Sequence, residues 1–157
     1  MERILFVCLG NICRSPLAEA LFQEKLESKG ISGDFELDSC GTNGLHNGEP
    51  ADARTRKNAA QHGINVPSIS RQITAHDLDY FDHIFTMDES VQRQVQQLCA
   101  TDGQKQKVKP FRSLDINAPN ADVPDPWYGG EEGFERVFRV IDKNCDLWVD
   151  YFLQNPQ

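Results

Sequence analysis

The 157-residue sequence predicts an α/β fold in which helices cover both faces of a parallel sheet. Residues 4–7 are a continuous apolar run, which is typical of a strand buried on both faces. Strand-like and helix-like segments then alternate, and the last of them, residues 131–153, places its apolar side chains on one helical stripe. In such sheets ligands bind at the carboxyl ends of strands, so the turn after the first strand is a candidate site.

The individual elements have recognisable boundaries. The first helix begins near Pro16, which a first helical turn tolerates, and the second ends before Gly63, a typical helix terminator. The acidic run at residues 77–82 is interpreted as a solvated surface, and residues 117–130, rich in proline and glycine, as a long loop. Helices are predicted at residues 16–29, 51–62, 89–99 and 131–153. Strands are predicted at residues 4–7, 36–39 and 83–87, with a short fourth strand around Val108.

The composition indicates one folded domain spanning residues 1–157, since 39% of the residues are hydrophobic and 25% are charged. The 16 Lys+Arg residues against 24 Asp+Glu give a net charge of -8, whereas a nucleic-acid-binding surface is usually basic. No apolar run is long enough to span a bilayer, and no secretion signal is recognised. We therefore expect neither a nucleic-acid partner nor a membrane partner.

The cysteine count argues against a disulfide scaffold. Five cysteines are an odd number in a sequence without an export signal, so a reducing cytoplasm is the expected location. Three of them, Cys40, Cys99 and Cys145, are interpreted as packed thiols. The four histidines show no spacing typical of a metal site, and no metal is expected.

The turn at residues 8–16 has the composition of an anion-binding loop. Gly10 and Asn11 tolerate left-handed backbone, so the loop amides can curl toward a common point. Pro16 marks the start of the following helix, whose N-terminus adds its dipole to that point. Arg14 adds a planar guanidinium that matches two oxygens of a tetrahedral oxyanion. The sequence therefore predicts a phosphate-binding loop here.

Cys8 is the first residue of this loop, at the carboxyl end of the strand. Amide donors and Arg14 around a sulfur favour the thiolate, which is the nucleophilic form of cysteine. Such a thiolate can attack phosphorus while the loop amides and Arg14 stabilise the charge on the phosphate oxygens. Ser15 can donate a hydrogen bond to the thiolate when it leaves the phosphocysteine intermediate. The alternative interpretation is that Cys8 is a small apolar residue ending a core strand.

A second segment, residues 123–130, is suited to carry an acid. Asp125 lies between two prolines that restrict its backbone, and it can protonate the departing oxygen of a phosphate ester. Trp127 and Tyr128 follow it and are able to line a slot for a phenyl ring. The alternative is a rigid turn whose aromatic side chains pack on the last helix.

With these two segments in this order, the sequence resembles the low-molecular-weight protein tyrosine phosphatase family. The resemblance covers nearly the whole chain and extends to residues 38–42, 62–64, 70–72 and 87–88. It implies a flavodoxin-like three-layer sandwich with a four-stranded parallel sheet in the order 2-1-3-4. It also implies hydrolysis of tyrosine-phosphorylated proteins and small aryl phosphates through a phosphocysteine intermediate. Inorganic phosphate is then the product, no metal or organic cofactor is used, and a monomer is expected.

The resemblance assigns roles to the residues that match the family motifs. Cys8 is the nucleophile, Arg14 binds the phosphate, and Asp125 is the general acid and then the general base. The phosphate loop consists of Leu9, Gly10, Asn11, Ile12, Cys13, Arg14 and Ser15. The residues assigned to loop support are Asn11, Ser15 and Ser39, with a hydrogen bond expected between Asn11 and Ser39.

Other assignments concern the slot, redox chemistry and loop support. Leu9 and Trp127 are expected to wall the substrate slot, with Tyr128 at its rim. Cys13 matches a second loop cysteine that traps the nucleophile as a disulfide under oxidants and shields it from over-oxidation. Many members carry a histidine that buttresses the loop from the stretch matching residues 65–70, which contains none here. Support for the loop is therefore expected to differ.

Two alternative functions share parts of this pattern. A thiol-relay arsenate reductase has the same fold and loop but needs two further cysteines close together, and Cys99 has no cysteine near it in sequence. A non-catalytic phosphopeptide-binding module would keep Arg14 and lose the nucleophile or the acid, whereas Cys8 and Asp125 are both present.

Overall fold

The computed structural model describes residues 1–156, apart from the side chain of Tyr128. Four parallel strands form one sheet in the order β2-β1-β3-β4, which confirms the predicted α/β fold and its strand order. The strands are β1 (Glu2–Cys8), β2 (Phe35–Gly41), β3 (His83–Thr86) and β4 (Val108–Pro110). The helices are α1 (Arg14–Ser28), α2 (Ala53–Gln61), α3 (Ala75–Tyr80), α4 (Glu89–Leu98), α5 (Asp102–Lys107) and α6 (Gly130–Gln154). Single turns of 3-10 helix lie at Ser32–Asp34 and Pro126–Tyr128.

The apolar run of β1 is continuous because both faces of the sheet are buried. Ile4 and Phe6 point into a cluster formed with α1 and α6, whereas Leu5 and Val7 point into a second cluster with α3 and α4. Each of these four side chains is fully buried. Strand β1 pairs with β2 on one side and β3 on the other, so the chain order reverses at β1 and leaves a crevice at its carboxyl end.

The long connection between β4 and α6 is held to the last helix by buried polar contacts. Trp148 Nε1 donates to the Phe111 carbonyl at 2.7 Å. Asp115, only 1% exposed, accepts hydrogen bonds from Arg112 at 2.9 Å and from Lys143 at 3.0 Å. Burial opposes ionisation, but these donors hold the pKa of the Asp115 carboxyl well below its usual value. Residues 111–115, which precede the segment that carries Asp125, are therefore held in place against α6.

The prediction that residues 77–82 form a solvated surface is correct for Asp79 and Asp82, which are exposed, and wrong for Asp77. Asp77 is 4% exposed and forms a capping box with Thr74 at the start of α3, a helix that the sequence patterns did not predict. Asp77 Oδ2 also accepts a hydrogen bond from Arg71 at 2.9 Å. Within this acidic run, only Asp77 is therefore a buried cap. Helix α5 was not predicted either, because six residues are too few to show a periodic apolar face.

Within the described residues, no helix is both long and apolar enough to cross a membrane.

Candidate active site

The loop between β1 and α1 is shaped by left-handed backbone and by a close neighbour. Asn11 has φ 57°, a conformation that asparagine tolerates better than most residues. Gly41, at the end of β2, packs against the loop so closely that a Cβ there would lie 2.7 Å from the Leu9 carbonyl oxygen. The backbone N–H of Thr42 donates to the Cys8 carbonyl at 3.0 Å, and this bond holds the start of the loop against the segment after β2.

The sulfur of Cys8 lies at the floor of the loop, and the residue is only 3% exposed. The Asn11 backbone N–H donates to Cys8 Sγ at 3.3 Å, and Ser15 Oγ lies 3.0 Å from the same atom. Asn11 Nδ2 donates to Ser15 Oγ at 2.8 Å, and the Ser15 hydroxyl proton then has two acceptors within reach, Cys8 Sγ and the more distant Cys40 carbonyl at 3.4 Å. The sulfur of Cys8 therefore lies within hydrogen-bond distance of a backbone N–H and a hydroxyl.

The Asn11 side chain is the centre of the network that supports the loop. Its Nδ2 donates to Ser15 Oγ and to Ser39 Oγ at 3.0 Å, and its Oδ1 accepts from the Arg71 backbone N–H at 3.0 Å. The contact expected between Asn11 and Ser39 is therefore present. Ser70 Oγ adds a hydrogen bond to the Gly10 carbonyl at 3.0 Å. These contacts provide loop support in a chain whose residues 65–70 contain no histidine.

Behind Ser39 lies Glu19, which the sequence analysis did not single out. Ser39 Oγ donates to Glu19 Oε1 at 2.7 Å. Burial raises the pKa of the Glu19 carboxyl from 4.5 to about 7, although the bond from Ser39 and the charge of Arg71 lower it. The available signal was an acidic residue at three-residue spacing from Pro16 and Phe22, which are both buried on the same face of α1.

Arg14 is held so that part of its guanidinium remains available. It is 4% exposed, and its Nη1 donates to Asp88 Oδ2 at 2.7 Å and to the Val123 carbonyl at 3.0 Å. Asp88 itself caps α4 through the Val91 N–H, so the partner is fixed. Both contacts use Nη1, which leaves Nε and Nη2 to bind two oxygens of an oxyanion in the fork geometry typical of arginine.

One pocket of about 330 Å³ collects the predicted site residues from distant segments. Its lining includes Cys8, Arg14 and Asp125, together with Leu9 and Trp127. The Leu9 and Trp127 side chains are 42% and 41% exposed, as apolar walls of an open slot require. The side chain of Tyr128, expected at the rim of the slot, lies outside the described residues. The other residues that line the pocket are Gly10, Ile12, Cys13, Asn43, Leu45 and His46.

Asp125 is exposed at this pocket and caps the 3-10 turn that follows it. Its Oδ1 accepts from the Trp127 backbone N–H at 3.0 Å, so one carboxyl oxygen fixes the turn and Oδ2 remains for proton transfer. The chain just before Asp125 is anchored at Val123, because the Val123 backbone N–H donates to the Met87 carbonyl at 2.7 Å. The structure therefore brings the acid, predicted from a separate segment, to the mouth of the loop.

Cys13 is a buried thiol in the same loop. It is 7% exposed, and burial raises the pKa of its thiol to about 12. All five cysteines are free thiols in the structure. Across the described residues, no group of three or more His, Cys, Asp or Glu side chains is arranged to hold a metal ion.

A parallel sheet whose first turn forms an oxyanion-binding loop around a buried thiol defines the class of cysteine-dependent phosphatases. Comparisons with known proteins identify the family. The sequence model of the low molecular weight phosphotyrosine protein phosphatase family matches residues 3–156. The chain therefore belongs to this family, as the sequence motifs predicted.

Individual relatives agree with this assignment over nearly their full length. A low molecular weight protein-tyrosine-phosphatase of Streptomyces coelicolor is 39% identical over 142 residues, covering 89% of this chain and 87% of the relative. The human low molecular weight phosphotyrosine protein phosphatase is 36% identical, covering 95% and 94%. The crystal structure of a protein tyrosine phosphatase from Entamoeba histolytica, with Hepes in its active site, superposes with a TM-score of 0.94 at 36% identity and covers all of both chains (100% and 100%). None of these matches favours an arsenate reductase or a binding module.

The raised pKa of Glu19 predicts a pH dependence of stability. The folded chain binds this proton more tightly than the unfolded chain does, so the carboxyl destabilises the fold as pH rises from about 4.5 to about 7. In Glu19→Gln this contribution is absent. The free energy of unfolding of the variant, measured in urea, is expected to gain up to about 3 kcal/mol on the wild type between pH 5 and 8. Glu24→Gln, an exposed change on the same helix, is the control, and parallel pH curves for wild type and Glu19→Gln would contradict the prediction.

Proposed function

We propose that this chain hydrolyses protein phosphotyrosine and small aryl phosphates with Cys8 as the nucleophile, Arg14 as the phosphate-binding cation and Asp125 as the general acid and base. The observation that carries the proposal is the single pocket in which these three side chains meet. The slot walled by Leu9 and Trp127 favours a flat ring above the loop, which fits an aryl phosphate.

In the first step the Cys8 thiolate attacks phosphorus, an S–P bond forms and the P–O bond to the phenol breaks. Asp125 gives its proton to the departing oxygen, which would otherwise leave as a phenolate. The loop amides, the N-terminus of α1 and the guanidinium of Arg14 stabilise the charge on the three non-bridging oxygens. The loop has this shape before the substrate arrives, so little reorganisation accompanies the reaction.

In the second step water attacks the phosphocysteine. The Asp125 carboxylate, now unprotonated, accepts a proton from the water, the S–P bond breaks and inorganic phosphate is released. The leaving group is the Cys8 thiolate, which receives hydrogen bonds from Ser15 Oγ and the Asn11 N–H. The same two donors therefore assist both the attack and the departure of the sulfur.

Cys13 is proposed to protect the oxidised nucleophile. Peroxide converts the Cys8 thiolate to a sulfenic acid. The Cys13 thiolate then attacks that sulfur, an S–S bond forms, the S–O bond breaks, and the hydroxide that leaves takes up a proton to give water. An added thiol reduces the disulfide and restores Cys8. Because burial raises the pKa of Cys13 to about 12, only a small fraction of it is thiolate near neutral pH, and disulfide formation is slow there.

The remaining proposals concern the protein in its cell. Residues 1–157 are proposed to form one phosphatase domain, supported by the family match over residues 3–156. A cytoplasmic location is supported by five free cysteines. The substrates are tyrosine-phosphorylated proteins, and the protein is proposed to act as a monomer, since the pocket is complete within one chain.

Replacing the nucleophile tests the proposed reaction directly. Cys8→Ser is expected to lower turnover of an aryl phosphate by at least about 10⁴-fold at mildly acidic pH in EDTA, because a serine hydroxyl at this position is not ionised. The variant still binds inorganic phosphate, measured by calorimetry, since the loop amides and Arg14 remain. Cys99→Ser, which lies away from the pocket, keeps full activity. An active Cys8→Ser enzyme would remove Cys8 from the mechanism.

Replacing the acid separates substrates by leaving group. Asp125→Asn is expected to lower kcat/KM for phenyl phosphate by about 10²- to 10³-fold and for p-nitrophenyl phosphate far less, because a stable leaving group needs little proton transfer. The measurement is steady-state kinetics with both substrates. Equal losses on the two would show that Asp125 is not the acid.

The redox proposal predicts that the rate of disulfide formation between Cys8 and Cys13 depends on pH. After brief peroxide treatment, disulfide formation between Cys8 and Cys13 is expected to accelerate about tenfold per pH unit between pH 7 and 9, because the thiolate fraction of Cys13 rises in that proportion. Mass spectrometry of the tryptic peptide 4–14, which contains both cysteines, follows the reaction. Cys13→Ser accumulates over-oxidised Cys8 instead. A rate that does not change with pH would contradict the proposal.

A further inference from the structure

Arg54, near the start of α2, lies between two aromatic rings that belong to a distant part of the chain. Its Cζ is 4.7 Å from the centroid of the Trp127 ring and 4.8 Å from that of the Phe134 ring. Both distances are within the range in which a guanidinium is attracted to the face of an aromatic ring. Trp127 also lines the candidate substrate pocket, and Phe134 belongs to α6, so Arg54 joins a residue of this pocket to the last helix.

The guanidinium of Arg54 is itself fixed by Asp52. Its Nε donates to Asp52 Oδ1 and its Nη2 to Asp52 Oδ2, each at 3.0 Å, which is the bidentate geometry specific to arginine. The hydrogen bonds from Arg54 also lower the pKa of the Asp52 carboxyl, so the pair stays charged at the pH of catalysis. Asp52 is in turn connected to the phosphate loop, because its backbone N–H donates to the Ile12 carbonyl at 2.8 Å.

A third contact of Arg54 reaches the backbone of the acid segment. Its Nη1 donates to the Trp127 carbonyl at 3.3 Å. The N–H of the same Trp127 donates to Asp125 Oδ1 at 3.0 Å. A continuous series of contacts therefore runs from the phosphate loop at Ile12 through Asp52 and Arg54 to Trp127 and Asp125, joining segments that are more than 100 residues apart in the sequence.

We propose that Arg54 is a positioning residue that holds residues 124–129, the acid loop, over the phosphate loop at the distance that proton transfer to the leaving group requires. The inference rests on the proposed function of Asp125. Asp125 and Trp127 are both exposed, and the anchor at Val123 fixes only the start of the acid loop. Arg54 supplies the cross-link further along it, where the carboxyl turns toward the pocket.

If Arg54 has this role, replacing it affects proton transfer from Asp125 and leaves phosphate binding unchanged. Arg54 does not line the pocket that contains Cys8 and Arg14, so its loss leaves phosphate binding intact. It fixes the Trp127 ring and carbonyl, so its loss lets the acid loop move and misplaces the Asp125 proton. A lysine cannot replace it, because an ammonium makes neither the bidentate pair with Asp52 nor a planar stack.

The test compares Arg54→Ala and Arg54→Lys with the wild type on the two aryl phosphates. For both variants we expect kcat/KM for phenyl phosphate to fall by about 10- to 50-fold, part of the usual effect of a general acid, and kcat/KM for p-nitrophenyl phosphate to fall less than about threefold. The inhibition constant of inorganic phosphate changes less than about twofold. Lys57→Ala is the matched control, since Lys57 is on the same helix and its one ion pair among the described residues is an exposed pair with Glu131.

A double-mutant cycle distinguishes positioning from a general loss of structure. In an Asp125→Asn background, Arg54→Ala is expected to have almost no further effect on phenyl phosphate, because the proton that Arg54 positions is already absent. Losses that simply multiply, equal losses on both substrates, or the same loss in Lys57→Ala would each overturn the proposal. If instead the wild type fails to turn over either substrate, or Cys8→Ser remains active, it is the proposed function that fails.

Discussion

The side chain of Asn11 is the point on which the geometry of the site depends. Its amide satisfies Ser15, Ser39 and the backbone of Arg71 at once, and each of these partners belongs to a different segment of the chain. The backbone of Asn11 is left-handed, so the loop would relax if these bonds were lost. The same residue donates its N–H to the sulfur of Cys8, so Asn11 sets both the shape of the loop and a contact of the sulfur.

The acidity of the chain does not conflict with binding an anion. A net charge of -8 is spread over the molecule, whereas the phosphate site is built from short-range donors: amides, a helix N-terminus and one buried arginine. Arg14 carries its own acidic partner, Asp88, which orients it through one nitrogen and leaves the others free to bind. Burial makes these interactions stronger than they would be at the surface, so a few well-placed groups are sufficient.

Two arginines connect the catalytic segments. Arg14 reaches the carbonyl of Val123 at the start of the acid-bearing region, and Arg54 reaches the carbonyl of Trp127 further along it. The first contact belongs to the residue that is proposed to bind phosphate, and the second to a residue outside the pocket. The acid loop therefore has one support that depends on the phosphate loop itself and another that depends on Asp52 and α2, which gives the proton donor a defined position in an otherwise exposed segment.

The sequence alone determined local features: the doubly buried strand, the ends of the four longer helices to within two residues, the turn at residues 8–16 and the prolines that flank Asp125. These follow from short-range periodicity and from backbone preferences of single residues, which a linear pattern records. Only the tertiary structure decided the partners. The way in which distant segments meet decides three features of the structure: Glu19 lies behind the loop, Asp77 is a buried cap, and Arg54 contacts the acid loop. Burial and long-range hydrogen bonds are properties of the folded chain, so a periodic pattern in the sequence does not predict them.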